Sequence, residues 1–188
     1  MNLGLMNNLG EIKMRSLSLI MIFMAFLLAA CGAPVPNQAQ IWYDANVKRA
    51  IDSGQPLLIT YLGPRGANYV GGVDVDIYAV NTSNKTIKYL TFDVTPYNAV
   101  GDVQRGEIRR ISTMHLESTG PYVGISSNPN RNAIMMTWEN AWYNHTIRCV
   151  VVRNVKIEYV DGSRRNYSGP SSVLGIMGSG MNNSCRVN

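Results

Sequence analysis

Few of the 188 side chains in this sequence are of types that could do chemistry. Cys149 follows His145 by four positions, which raises the idea of a thiolate nucleophile with an imidazole base. On a strand, positions four apart share a face but lie about 13 Å from each other. A nucleophile and its base need about 3 Å, so the dyad is discounted. Asp74, Asp76 and Asp93 are the next candidates, as oxygen ligands for a hard cation. Asp74 and Asp76 would sit about 7 Å apart on one strand face. No Asp-x-Asp-x-Asp-Gly loop accompanies them, and a water-covered outer face is the expectation. As an acid/base pair they lack a neighbour that would split their pKa values. His115 and His145 are the only histidines. Neither has a local partner, and no His-Glu-x-x-His or paired-cysteine spacing suggests zinc. There is no Gly-x-Ser-x-Gly elbow. Gly71-Gly72 precedes an apolar strand pattern instead of following one, which argues against a nucleotide fingerprint. The expectation is no catalytic residue, no metal and no cofactor.

The densest aromatic stretch is Trp138-Glu139-Asn140-Ala141-Trp142-Tyr143. Trp138, Trp142 and Tyr143 could form a stacking platform for glycan rings or an anchor for a peptide. Alternatively the tryptophans plug one end of a core. Exposed tryptophans would favour a glycan-binding accessory protein, and buried ones an interaction module of another kind.

The N-terminal stretch indicates where such a surface would work. Lys13 and Arg15 precede an apolar run, Leu17 to Leu28, and small residues follow. These are the parts of a secretory signal, and the run is shorter than the roughly 20 residues of a membrane span. Leu28-Ala29-Ala30-Cys31 resembles the lipobox of bacterial lipoproteins. That resemblance implies cleavage before Cys31, acylation of Cys31, and a membrane partnership through the lipid. With Gly32 after the cysteine it also implies the outer membrane, with the protein facing the periplasm or the cell surface. Met14 offers an alternative start. With Cys31 taken by lipid, Cys149 and Cys185 remain as an even pair in an exported chain, which reads as one disulfide.

The formal charge of +5 falls to +4 when Glu11, Lys13 and Arg15 leave with the signal. Arg109-Arg110 and Arg164-Arg165 could meet anionic glycans, lipid headgroups or nucleic acid, but solvated faces are the ordinary role of such pairs. No basic run with interleaved aromatics points to nucleic acid.

The elements that must position these residues follow from periodicity. Residues 1–30 are the signal and 31–40, with two prolines, a lipidated tether. Ile41 to Ser53 predicts a short helix with Trp42 and Ile51 inward, stopped by Gly54-Gln55-Pro56. From 55 to 169 the period is two. Val73, Val75 and Ile77 alternate with Asp74 and Asp76, and Leu90, Phe92 and Val94 point inward on the next run. Pro96 marks an edge or strand end. Weaker strands are expected over Val103 to Met114 and Leu116 to Ser126, then another over Ala133 to Trp138. Thr146 to Tyr159 is long for one strand, and a bulge is expected near Arg153-Asn154. Ile147, Cys149, Val151, Val155, Ile157 and Tyr159 share the inward parity. Asp161-Gly162 signals a hairpin. Residues 170–188 form a Gly/Ser-rich tail pinned by Cys185. Seven to eight short strands with regular turns predict an all-β fold, an immunoglobulin-like antiparallel β-sandwich.

Two stretches carry a second resemblance. Asn81 to Tyr89, with Phe92, Val94, Tyr97-Asn98 and Gly101-Asp102, is similar to the hairpin of FxLYD-like domains of bacterial exported proteins. So is Ile157 to Gly162. The literal motif differs at Val94, Pro96 and Asn98. The resemblance implies an immunoglobulin-like sandwich and no catalytic residues. The combined expectation is a lipid-anchored envelope protein whose non-catalytic module binds a protein or glycan partner. The alternative is a peptidoglycan- or glycan-binding accessory lipoprotein using the Trp138 to Tyr143 cluster.

Overall fold

The computed structural model describes residues 37–108, 110–124, 133–181 and 185. The signal segment, the lipobox and Cys31 lie outside these. Among the described residues no helix is long and apolar enough to cross a membrane.

Helix α1 (Gln38–Asp52) leads into strands β1 (Leu57–Pro64), β2 (Gly72–Asn81), β3 (Ile87–Tyr97), β4 (Met114–Tyr122), β5 (Ala133–Tyr143), β6 (Cys149–Tyr159) and β7 (Arg164–Ser168). A one-turn helix, α2 (Pro170–Leu174), follows. One sheet has the order β1-β2-β5 and the other β4-β3-β6-β7, all antiparallel. This is an immunoglobulin-like sandwich of seven strands. Its core is the alternation read outright. Val73, Val75 and Ile77 from β2 meet Leu90, Phe92 and Val94 from β3, with Val155 and Ile157 from β6.

Bulges in four strands decide which side chains join that core, and the one at Lys88 in β3 lets both Ile87 and Leu90 face inward. In β6 the register with β3 slips between Asp93 and Val94, leaving Arg153 as the extra residue. The bulge falls where the over-long pattern put it, but it also switches the parity. Val150 and Val152 are the inward residues before Arg153, and Val155, Ile157 and Tyr159 after it. Cys149 and Val151 therefore lie on the opposite face, buried with Tyr97 and Cys185 in a small cluster of their own. In β5, Trp138 and Trp142 stand opposite Val75 and Val73, so four positions on one strand span two on the other. Asn140 in this bulge has φ +51°, and Asp74 Oδ1 accepts its backbone N–H at 2.8 Å. A slip at Thr60 does the same in β1, so Leu57, Ile59 and Leu62 face the core while Leu58 faces out.

Helix α1 covers the outer face of the smaller sheet, where Ala50 packs with Leu58 and Val80. Trp42 is half-buried, but Ile51 points to water at 42 % exposure, contrary to the expected inward face. The buried helix positions are Asn46 and Ala50, one turn apart. Asn46 is satisfied there: its amide donates to the Trp42 carbonyl and its Oδ1 accepts the Ser179 N–H at 2.7 Å.

The Gly/Ser-rich tail is built into the fold. Val173, Ile176 and Met177 are core residues. Ile59 N–H donates to the Ile176 carbonyl at 2.8 Å, and Gly178 N–H to the Ile59 carbonyl at 2.9 Å. The tail thus pairs along the free edge of β1, a side that would otherwise expose unpaired backbone. Trp42 Nε1–H donates to the Ser179 carbonyl at 2.8 Å and closes the helix over it. Cys149 and Cys185 are joined as a disulfide, with Cα atoms 5.2 Å apart.

The strand expected over Val103 to Met114 does not form: Met114 opens β4, and apart from one bridge between Val103 and Tyr97 the described residues before it are a loop bonded to its surroundings. Its apolar residues Val103, Ile108 and Ile111 are exposed, so the apolar pattern there does not reflect a buried strand face.

Candidate functional site

Gly106, Ile108 and Ile111, the first residues of β4 and the second half of β5 form a groove of about 610 Å³. It opens where β4 and β5, the edge strands of the two sheets, come side by side. Backbone bonds hold the loop against the strand: Glu107 N–H donates to the Tyr143 carbonyl at 2.9 Å, and Arg110 N–H to the Gly106 carbonyl at 2.8 Å. Asn144 Nδ2 donates to the Arg105 carbonyl at 2.8 Å. Ile108, Ile111, Met114, Trp138 and Tyr143 supply the apolar lining, with His115 and Glu139 at the rim. Ile108 is 69 % exposed in it.

The aromatic residues contribute unequally. Trp142 is 2 % exposed, and its Nε1–H donates to the Ser112 carbonyl at 3.0 Å. Trp138 stands edge-on to Phe92, ring centroids 5.9 Å apart, with its Nε1–H on the Glu117 carbonyl at 3.0 Å. Both indoles thus carry the walls of the groove, each with its polar atom satisfied from within. Tyr143 is half-buried at the end of the strand.

The carboxylates and histidines are brought into contacts that spacing did not reveal. Asp76 is buried at 5 %, not water-covered. It accepts from Arg65 Nε at 2.7 Å and Nη2 at 3.0 Å, and from Thr137 Oγ1 at 2.7 Å. The fork of the guanidinium matches the carboxylate geometry. Asp74 holds the β5 bulge. Asp93 is separate from both, on β3, and no cluster of three metal-ligating groups occurs among the described residues. His115, expected to be alone, has Nδ1 at 2.8 Å from Asp93 Oδ1, because register places the two directly opposite each other. Asn154 Nδ2 donates to Asp93 Oδ2 at 2.8 Å. Burial pushes the Asp93 carboxyl up, but the hydrogen bonds from Asn154 and His115, with the positive charge of His115 and Lys156, outweigh it and leave the group below its ordinary value.

Cys149 and His145 are not brought together as a dyad. The Cys149 sulfur is committed to Cys185. The His145 ring lies over Gly71, where an added Cβ would come within 3.0 Å of Nε2. Sequence reasoning missed Ile108, Ile111 and Met114 as groove residues. Apolar residues recurring every third position around Arg109-Arg110 were the available signal.

No known protein family, curated protein or solved structure matches this chain.

Proposed function

We propose that this protein is a lipid-anchored cell-envelope module, tethered through Cys31 to the outer membrane, that works by binding a protein partner. The lipobox-like Leu28-Ala29-Ala30-Cys31 supports the anchor. Several acyl chains, at about 0.8 kcal/mol per buried CH₂, hold a protein on a membrane essentially permanently. The observation that carries the binding reading is the groove between the β4 and β5 edges. It offers exposed apolar side chains next to two strand edges that pair with no further strand among the described residues. An extended polypeptide can satisfy both at once, by adding main-chain hydrogen bonds and seating side chains on Ile108 and Met114. The side chains that might have served catalysis have structural partners instead: Cys149 in a disulfide, Asp76 with Arg65, Asp93 with His115 and Asn154.

A glycan-binding role for the Trp138 to Tyr143 cluster draws less support. Sugar stacking uses an open aromatic face, and Trp142 presents none.

The experiment has two arms. Cys31→Ser should abolish palmitate labelling and leave the precursor uncleaved; continued labelling overturns the anchor. A photo-crosslinking residue at Ile108, with one at the exposed Tyr69 as control, should trap a discrete protein adduct in intact envelopes at the first position only. Adducts at both positions, at neither, or to glycan alone refute the groove reading. So does turnover of an envelope substrate that is lost on substituting Asp74, Asp76, His115 or His145.

A further inference from the structure

At the opposite end of the sandwich a second cavity, about 530 Å³, lies between the α1–β1 junction, the β2–β3 turn and the β6–β7 hairpin. Its lining contains three cations, Lys85, Arg164 and Arg165, and no acidic residue. Two of the cations are compensated from outside the cavity. Lys85 Nζ is 2.8 Å from Asp161 Oδ2, and Arg164 Nε is 2.9 Å from Glu158 Oε2. Arg165 makes no ion pair among the described residues, which leaves one uncompensated positive charge. Around it stand neutral hydroxyl and amide groups: Thr82, Ser83, Asn84, Ser163 and the phenols of Tyr159 and Tyr167. Burial raises both phenols above the ordinary tyrosine value, with the Arg165 charge opposing it, so both remain proton donors at neutral pH.

The walls are preformed. Thr82 Oγ1–H donates to the Gln55 carbonyl at 2.5 Å, and Gln55 Nε2 donates to the Gly175 carbonyl. Lys85 Nζ also donates to Ser163 Oγ at 2.9 Å and lies 5.4 Å from the Tyr159 ring centroid. This ties the β2–β3 turn to the β6–β7 hairpin across the cavity.

The charge and the volume together define the ligand class. One free guanidinium calls for one anionic group, for which it is the best-matched side chain. A bare phosphate would leave most of the cavity empty, since pockets for small ligands occupy about 300–1,000 Å³. The hydroxyls of Thr82, Ser83 and Ser163 are spent on Gln55, Asn81 and Asp161, which leaves the Asn84 amide and the two phenols as uncharged polar groups for a polyhydroxylated body. We propose that this cavity binds an acidic sugar, its carboxylate on Arg165 and its hydroxyls on Asn84 and the tyrosine phenols. The site is separate from the β4–β5 groove and does not depend on the reading given to it.

The test is titration of the purified domain with glucuronate, with glucose, inorganic phosphate and vesicles containing phosphatidylglycerol as comparison arms, followed by calorimetry and by amide shifts. Glucuronate should bind, shift the amides of Lys85, Ser163 and Arg165, and weaken as salt rises. Arg165→Gln should weaken it about tenfold or more, as loss of a charge-assisted hydrogen bond does. Tyr167→Phe, which removes only a hydroxyl, serves as a second variant and should weaken it less. Glucose binding as tightly as glucuronate, or Arg165→Gln binding unchanged, overturns the proposal. Phosphate binding as tightly as glucuronate reduces the site to a simple anion site and also overturns it. Vesicle binding that depends on Arg165 without any sugar binding would assign the charge to a lipid headgroup instead.

Discussion

Reduction of the Cys149–Cys185 bond should lower stability without dismantling the fold. The bond joins the start of β6 to the tail across 36 positions of sequence. The loop-closure entropy it removes from the unfolded chain corresponds to about 4 kcal/mol at 25 °C. The native side changes little, because the tail has other attachments: Ile176 and Gly178 bond to Ile59, Ser179 bonds to Trp42 and Asn46, and Val173 is buried in the core. The loss therefore falls on the cooperative unfolding of the whole sandwich. In urea, with a slope of about 2 kcal/mol per molar for a small domain, the midpoint should drop by about 2 M. The corresponding fall in melting temperature is about 10 °C for a domain of this size. Indole fluorescence, with Trp142 in the core as a reporter, gives the midpoint for oxidised, reduced and Cys149→Ala/Cys185→Ala protein. Hydrogen exchange at Ile59 and Gly178 reports the tail separately. Coincident urea curves for the oxidised and reduced forms would refute the reasoning. Lost protection at those two amides with an unchanged core midpoint would mean that the bond secures only the tail.

Trp142→Ala should cost about 3–5 kcal/mol, the usual loss for a buried large aromatic, and Trp142→Phe clearly less; thermal melts of both check the ranking. Gly72→Ala should destabilise by about 1 kcal/mol, because the new methyl falls on Asn140 Oδ1 in the β5 bulge and Asn68 Nδ2 before β2, and moving them aside breaks their mutual hydrogen bond. Its melting curve, compared with that of Gly66→Ala, where the added methyl meets nothing, isolates the clash. Asp93 has a carboxyl lowered in the folded state, so its contribution is present above the unfolded value of about 3.9 and is lost as pH falls through the folded one. Urea midpoints measured on the acid side of that value should therefore fall less steeply for Asp93→Asn than for the parent.

The fold was legible because the inward residues alternate over Val73 to Ala79 in β2 and over Leu90 to Val94 in β3, and Phe92 falls on their shared face. The alternation failed as a guide wherever a bulge intervened. The Arg153 bulge was readable from strand length, yet its effect on Cys149 and Val151 requires the register with β3. The β5 bulge gave no such length signal, so a stacking platform and a core plug were both open for Trp138 and Trp142, and only the register with β2 separates them. Asp76 was placed on the outer face, where it lies. What covers it is Arg65, from a turn eleven residues earlier. The pairing of His115 with Asp93 likewise depends on which residues stand opposite across β3 and β4. Helix α1 was found by its pattern but misjudged at Ile51, because its contact face is set by the sheet beneath it and by the tail.

The closure of β1 by the tail has a consequence for how the protein is made. β1 is among the first strands to be synthesised, and its edge is covered by backbone that arrives far later; the Gln55–Gly175 and Trp42–Ser179 bonds span 120 and 137 residues. Until that backbone emerges, a nascent chain carries an open, apolar strand edge able to pair with a neighbouring chain. Contacts of such long range also form slowly, since the intervening chain must be ordered first. The sandwich can thus be completed only once the backbone from Ile176 to Ser179 has emerged. A chain stopped short of Gly178 should aggregate even though all seven strands are present.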